Sequence, residues 1–269
     1  MSEILVRAEG LRKVFGKEMV AVDDVSFTVA RGQSLAVVGE SGSGKTTVAR
    51  MLLGLETPTS GTISVCGRTR SGRAGSAERR RRAREIQIVF QDPYSSLDPL
   101  QRVGDIVETS LAIHNRLTAS ERRTRALDLL EAVGLAERHA GMLPRQLSGG
   151  QRQRVAIARA IAVEPQVLVL DEAVAALDVS IQAQILNLLA DIRERTGISY
   201  VFISHDLAVV NQISDTALVM AAGRVVERGP TAQLLSAPQQ DYTKTLLAAV
   251  PRPGWKPRRR EAAAGRSPG

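Results

Sequence analysis

Gly39-Glu40-Ser41-Gly42-Ser43-Gly44-Lys45-Thr46 fits the phosphate-cradling loop G-x-x-x-x-G-K-[ST] without a mismatch. The apolar run Leu35-Ala36-Val37-Val38 before it reads as a strand, and Thr47-Val48-Ala49-Arg50-Met51-Leu52-Leu53 after it carries no helix breaker. Strand, loop and helix are the setting the motif requires. Glycines let the backbone turn its N–H groups inward at a helix N-terminus, where the partial positive charge of the helix also favours phosphate. Read this way, Gly39, Ser41, Gly42, Gly44 and Thr47 line a triphosphate site, Lys45 reaches the β- and γ-phosphates, and the Thr46 hydroxyl holds Mg²⁺.

Around this loop, a chain of 269 residues with 43% hydrophobic content can bury a substantial core. No window approaches 18 uninterrupted apolar residues, and Met1-Ser2-Glu3-Ile4-Leu5-Val6-Arg7 lacks the charged-then-apolar form of a signal peptide. A soluble, cytoplasmic chain is expected. The single cysteine, Cys66, excludes an internal disulfide and reads as a small packed side chain at the end of the strand-like Thr62-Ile63-Ser64-Val65-Cys66. Much of the net charge of +8 sits in Arg79 to Arg82 with Arg84, and in Arg258 to Arg260. With 3% aromatic residues there is little to stack on a single nucleic-acid strand, so these clusters read as solvated charge near ATP or anionic lipid, and no nucleic-acid partner is expected.

Upstream of the loop, Ile4 to Ala8 and Val20 to Val29 alternate apolar and polar residues as half-buried antiparallel strands do. Between them, in Lys13-Val14-Phe15-Gly16, Phe15 is either an adenine-stacking residue or part of the core. Downstream, Thr57 to Gly61 is a turn, Ile63 to Val65 a strand, and Gly67 to Ala77 a loop rich in Gly, Ser and Arg. The strand Glu85 to Phe90 ends at Gln91-Asp92-Pro93, because proline makes continued pairing unfavourable. Gln91 therefore stands at a strand end, facing either a ligand or solvent.

From about Ser96 to Ala162 the pattern is helical. Thr118-Ala119-Ser120-Glu121 is a capping box, followed by Ala126, Leu129, Leu130 and Val133 on one face and Gly134 as the stop. Then Leu147-Ser148-Gly149-Gly150-Gln151 opens the helix-forming run Arg152 to Ala160. Ser148, Gly149 and Gly150 are either a second place for backbone N–H groups to receive phosphate or a simple helix cap. The continuous apolar run Val167-Leu168-Val169-Leu170 reads as a parallel strand buried on both faces, with Asp171 and Glu172 at its carboxyl end. Beside a triphosphate, Asp171 is suited to Mg²⁺ and Glu172 to activating water as a general base. A helix over Ile181 to Arg193 leads to the strand Ile198 to Ile203, and His205 just beyond it is placed to hydrogen-bond a γ-phosphate. His114 and His139 read as surface residues. Ala217 to Met220 and Arg224 to Glu227 form a closing hairpin, and the Pro/Arg/Gly/Ala tail from Arg252 is expected to be disordered.

From Ile4 to about Val250 these motifs, in this order and spacing, resemble the ATP-binding subunit of an ABC transporter. The likeness implies an α/β P-loop NTPase: a parallel-sheet core with an N-terminal antiparallel β subdomain and an inserted α-helical subdomain. The core would take about residues 1–91 and 163–235, the insertion about 92–162, a C-terminal segment 236–250 and a basic tail 251–269. It implies a head-to-tail homodimer or heterodimer around two ATP molecules, each touching Lys45 and Thr46 of one subunit and Ser148, Gly149, Gly150 and Gln151 of the other. Phe15 would stack on adenine, Gln91 and Asp171 would join Thr46 at Mg²⁺, Asp178 would lie at the shared nucleotide, and Glu172 and His205 would serve hydrolysis. Further partners implied are a second ATP-binding subunit, two membrane permeases and, indirectly, an extracytoplasmic solute-binding protein, with the chain on the cytoplasmic face of the inner membrane.

The stretches Val89 to Pro99 and Asp241 to Leu247 are similar to the oligopeptide, dipeptide and nickel importers. Ala173 and Ala175 depart from that subfamily, which usually has Pro and Ser there. A soluble ABC ATPase acting on DNA or ribosomes is the alternative. Only the basic charge favours it.

Overall fold

The structure, a computed structural model, describes residues 3–16, 18–70, 74–92 and 96–248. Two sheets carry it. Strands β1 (Ile4–Phe15), β2 (Met19–Ala30), β4 (Ser60–Val65) and β5 (Arg68–Thr69) pair antiparallel in the order β2-β1-β4-β5. The main sheet runs β10-β9-β3-β8-β7-β6, from β3 (Ser34–Val38), β6 (Ile86–Val89), β7 (Val167–Asp171), β8 (Ser199–Ser204), β9 (Thr216–Ala221) and β10 (Arg224–Pro230). All its pairings are parallel except the β9–β10 hairpin.

Side chains of a strand alternate between faces, and the main sheet uses that period to serve two cores. Leu35, Val37, Val167, Val169, Val201 and Ile203 face the antiparallel sheet and helix α1 (Lys45–Leu53), which contributes Val48, Met51 and Leu52. Their neighbours Ala36, Val38, Leu168, Leu170, Tyr200 and Phe202 face the remaining helices. A strand sandwiched in this way must be apolar throughout, as the uninterrupted run in β7 is. Each Leu, Ile or Phe so buried contributes about 1.5–3 kcal/mol.

Between β5 and β6 lies α2 (Ser76–Glu85), and between β6 and β7 lie α3 (Val103–His114), α4 (Ala119–Ala132), 3₁₀ turns over Glu137–Gly141 and Pro144–Gln146, and α5 (Gly149–Ile161). Thr118 caps α4 with both bonds of the capping box formed, and the expected face Ala126, Leu129, Leu130 and Val133 is buried. Helices α6 (Val179–Thr196), α7 (Leu207–Ile213), α8 (Thr231–Ser236) and α9 (Asp241–Ala248) complete the chain. Among the described residues no helix is long and apolar enough to cross a membrane.

Several expectations change. Lys13 to Phe15 belong to β1 itself, not to a connection. The segment read as a loop over Gly67 to Ala77 contains β5 and the start of α2. Within α2, Glu78 pairs with Arg82 at 2.9 Å and with Arg81 at 2.5 Å, while Glu85 meets Arg70 at 2.8 Å. Arg82 and Glu85 are buried. The first arginine cluster is thus partly consumed by ion pairs that seat this helix, and only part of it is free solvated charge.

His114 and His139 are not surface residues: they are 9% and 7% exposed. Each ring, at the end of α3 or in the 3₁₀ turn, fills the helical core with carbon. The nitrogens of His139 find partners, whereas Nδ1 of His114 is buried with no hydrogen-bond partner among the described residues. Burial, with Arg84 and Arg80 nearby, holds His114 below the usual imidazole range. Cys66 is past the end of β4, in a left-handed turn with Gly67 (φ 51°), and burial pushes its thiol up. Pro93, Tyr94, Ser95 and the tail from Arg252 lie outside the described residues.

Candidate active site

Strands β6, β7, β8 and β3 run parallel, so their carboxyl ends open on one edge of the sheet. Sheets of this kind bind ligands at that edge. Val38 leads into the phosphate loop beside Ser204, and Asp171 lies in register with Ile203. The chain thereby brings residues from four distant stretches to one cleft, which Gly39, Ser41, Thr46, Gln91, Asp171, Glu172 and His205 all line.

The loop's glycines have separate steric reasons. A Cβ on Gly39 would stand 2.2 Å from the carbonyl oxygen of Met220, and one on Gly44 would stand 2.4 Å from that of Ala21. Gly44 is also the N-cap of α1 at φ 102°, with no side-chain cap bond, which leaves the first-turn N–H groups available to an anion. Lys45 is buried, and its Nζ donates to the carbonyl oxygens of Gly39 at 2.8 Å and Glu40 at 2.7 Å. Burial depresses its pKa against the opposing pull of Glu172 and Asp171. A desolvated ammonium held by two carbonyl dipoles and, at 3.4 Å, the Ser43 hydroxyl is a natural receiver for phosphate oxygens.

Asp171, 9% exposed, accepts a hydrogen bond from the Thr46 hydroxyl. Its carboxyl is raised above the usual carboxylate range by burial and by the charge of Glu172, with Lys45 opposing. Glu172 sits in the left-handed region at φ 49°, an uncommon state for a residue with a side chain that costs about 1 kcal/mol or more. Its N–H still donates to Ile203 at 3.0 Å, and its Oε1 comes within 3.3 Å of His205 Nδ1. His205 and Gln91 are exposed to the cleft.

The stretch Ser148 to Gln151 is not in the cleft. Ser148 caps α5: its Oγ accepts from Gln151 N at 3.3 Å, and its own N–H donates to Gln151 Oε1 at 2.9 Å. Asp178 caps α6 through Ile181 N at 2.9 Å. The two helix starts are packed together, since a Cβ on Gly150 would be 2.4 Å from Ile181 Cγ2 and one on Gly149 would be 3.6 Å from Leu177. Phe15 is also absent from the cleft lining, and Lys13, paired with Glu56 at 2.9 Å, stands 4.8 Å over its ring.

Sequence reading missed the contribution of the last helix. Tyr242 accepts a hydrogen bond from Glu40 N at 3.3 Å, and Thr245 and Leu246 line the cleft. Glu227 anchors that helix by accepting from Gln239 N and Gln240 N at 2.8 and 3.1 Å. The stretch Asp241 to Leu247 was visible as a pattern, but nothing local says which side of the sheet it returns to.

Among the described residues no group of three or more His, Cys, Asp or Glu side chains could hold a metal alone. A hydroxyl bonded to one buried carboxylate suits Mg²⁺, which commonly takes one or two carboxylates together with substrate phosphates.

This arrangement, with a complete phosphate loop on a parallel strand and a carboxylate pair one strand beyond its neighbour, defines a P-loop nucleoside triphosphatase. Residues 22–175 match the ABC transporter family. The dipeptide transport ATP-binding protein DppF of Haemophilus influenzae is 48% identical over 257 residues, covering 92% of this chain and 78% of that protein. Among solved structures, the dimeric post-hydrolysis form of the ATP-binding cassette MJ0796 bound to ADP and Pi superposes with a TM-score of 0.77 at 31% identity, covering 84% of this chain and 99% of that one. That of cbiO1 from Clostridium perfringens, part of the ABC transporter complex cbiONQ, gives 0.79 at 29%, covering 87% and 92%. The chain belongs to the ABC transporter family, as an ATP-binding and ATP-hydrolysing subunit.

Proposed function

We propose that this subunit powers import of peptides or a related small solute. Two ATPase subunits would close head to tail around ATP, on the cytoplasmic face of the inner membrane, and drive two partner permeases fed by a solute-binding protein. The observation that carries the dimeric part is the separation within one chain. Gly39 to Thr46, Gln91, Asp171, Glu172 and His205 share a cleft that Ser148 to Gln151 do not line, so the second group is available to a partner's nucleotide. The similarity to a dipeptide transport protein supports the solute class.

In this reading Lys45 leaves the carbonyls of Gly39 and Glu40 for the β- and γ-phosphates, and the N–H groups of Ser41, Gly42, Gly44 and Thr47 fold around them. Thr46, Asp171 and Gln91 would hold Mg²⁺, which when bound would supply positive charge against the phosphates. Glu172 accepts the proton of the attacking water, and His205 donates to the γ-phosphate while its contact with Glu172 orients both. Phe15 stacks on adenine with the face that Lys13 does not cover. Ser148, Gly149, Gly150 and Gln151 of the partner close over the γ-phosphate, and Asp178 fixes the neighbouring loop.

Mixing two inactive variants tests the composite site. Lys45→Ala and Ser148→Arg should each abolish turnover, and an equimolar mixture should regain it, because the heterodimer holds one intact site. A mixture as inactive as its parts refutes the arrangement. Reconstitution with peptide permeases in vesicles tests the solute, and failure of ATP to drive peptide uptake there would refute that class.

A further inference from the structure

His139 lies in the 3₁₀ turn Glu137–Gly141 of the helical insertion, outside the cleft, and is 7% exposed. Both of its ring nitrogens are engaged. Nδ1 is 2.9 Å from the carbonyl oxygen of Ala136, and Nε2 is 3.4 Å from Nε2 of Gln151. A carbonyl oxygen can only accept, so Nδ1 carries the proton. In the neutral ring Nε2 then has a lone pair and accepts from the Gln151 amide.

That assignment fixes Gln151. With its NH₂ spent on His139, its Oε1 is turned toward Ser148, where it accepts from the backbone N–H at 2.9 Å. Reversing the amide would set its NH₂ against the Ser148 N–H and its oxygen against the lone pair of His139, two repulsions in place of two bonds. Only one orientation satisfies every group, and it closes the cap in which Ser148 Oγ accepts from Gln151 N.

We propose that His139 is a positioning residue for the Ser148–Gln151 turn, locking the Gln151 amide so that Ser148 and the glycines after it are presented to the partner's nucleotide in one conformation. This rests on the composite-site reading given above. His139 touches no substrate; it acts through Gln151. A buried aromatic ring that merely filled space would need no acceptor at Nε2.

The test uses the full chain and ATP, comparing His139→Gln, whose amide oxygen reaches the place of Nε2, with His139→Asn, whose shorter amide does not, and His139→Leu, which has none. Turnover and binding of a fluorescent ATP analogue are measured for each, alongside Ser148→Arg. Loss of the acceptor should lower kcat about three- to tenfold in His139→Asn and His139→Leu, as expected for one hydrogen bond, while analogue binding stays within about twofold because the phosphate loop is untouched. His139→Gln should keep most of the wild-type turnover. If His139→Leu does not fold, the Gln and Asn pair decides by itself. Equal turnover in His139→Gln and His139→Asn overturns the proposal, as does a parallel loss of analogue binding. Wild-type turnover in Ser148→Arg would overturn the composite site and this inference with it, whereas an inactive Ser148→Arg beside unaffected His139 variants would overturn this inference alone.

Discussion

Glu172 Oε1 and His205 Nδ1 stand 3.3 Å apart at the ends of β7 and β8, adjacent parallel strands whose pairing the Glu172 N–H extends by its bond to Ile203. The left-handed backbone at Glu172 (φ 49°) is what departs from the strand at this point. In the proposed reading this carboxylate takes the proton of the attacking water, with the imidazole beside it.

Glu172→Gln keeps size and polarity but removes basicity. Phosphate release should fall by about a hundredfold or more, within the range general-base catalysis contributes. Gel filtration with ATP should show a persistent dimer that the wild type loses as it hydrolyses. Wild-type turnover in this variant would remove Glu172 from the base role.

Asp171→Asn should separate stability from activity. The Asp171 carboxyl is raised above its ordinary 3.8 by burial first and by Glu172 second. An acid whose folded pKa is raised favours its protonated form in the fold, so its ionisation destabilises the fold above that pKa. The penalty fades as pH falls through the folded value toward 3.8. Asparagine removes the charge while keeping an acceptor for Thr46. The nucleotide-free variant should melt a few degrees higher at pH 7, with the gain shrinking toward pH 4, and its Mg²⁺-dependent hydrolysis should be lost. An unchanged or lower melting temperature at pH 7 would contradict the cause given for the shift.

Ala175 lies exposed in the loop between Glu172 and α6, with its N–H donating to the Glu172 carbonyl at 3.0 Å. Serine there would offer a hydroxyl across a closed dimer at little conformational cost. Ala175→Ser should raise ATPase activity about twofold, the scale of one exposed hydrogen bond. Unchanged turnover and dimerisation would count against a cross-dimer role for this position.

The site was legible in the sequence to the extent that its residues sit at element ends. Runs such as Leu35 to Val38 and Val167 to Leu170 are apolar because both faces are covered, so the polar residues that follow, Gly39 onward and Asp171, mark one edge of the sheet. The antiparallel subdomain and the capped helix at Thr118 were readable for the same local reasons. What could not be read depends on tertiary placement. Helix α2 hides in an arginine-rich stretch that looks like solvated loop until Glu78 and Glu85 meet Arg82 and Arg70. His139 looks like a surface residue until the helical insertion closes over it. Tyr242 reaches Glu40 across 202 positions, a distance over which no periodicity speaks.

Gly150 carries a separate prediction. Glycine within a helix costs about 1 kcal/mol relative to alanine, so its use here needs a reason. One is close approach to a partner's nucleotide. The other is within the chain: a Cβ at position 150 would be 2.4 Å from Cγ2 of Ile181, a β-branched side chain that has little freedom to move aside. Gly150→Ala should therefore destabilise the protein by about 1–3 kcal/mol, the usual cost of an extra methyl in a packed contact. Adding Ile181→Ala should return much of that loss, as a non-additive pair in direct contact, and thermal melts of the two single variants and the double variant measure the coupling. Stability and turnover then report different things. If the glycine serves only the packing of α5 on α6, the double variant recovers hydrolysis together with its melting temperature. If the backbone must also approach a phosphate, stability returns while kcat stays low. Additive melting losses would show that Ile181 is not the obstacle the geometry makes it.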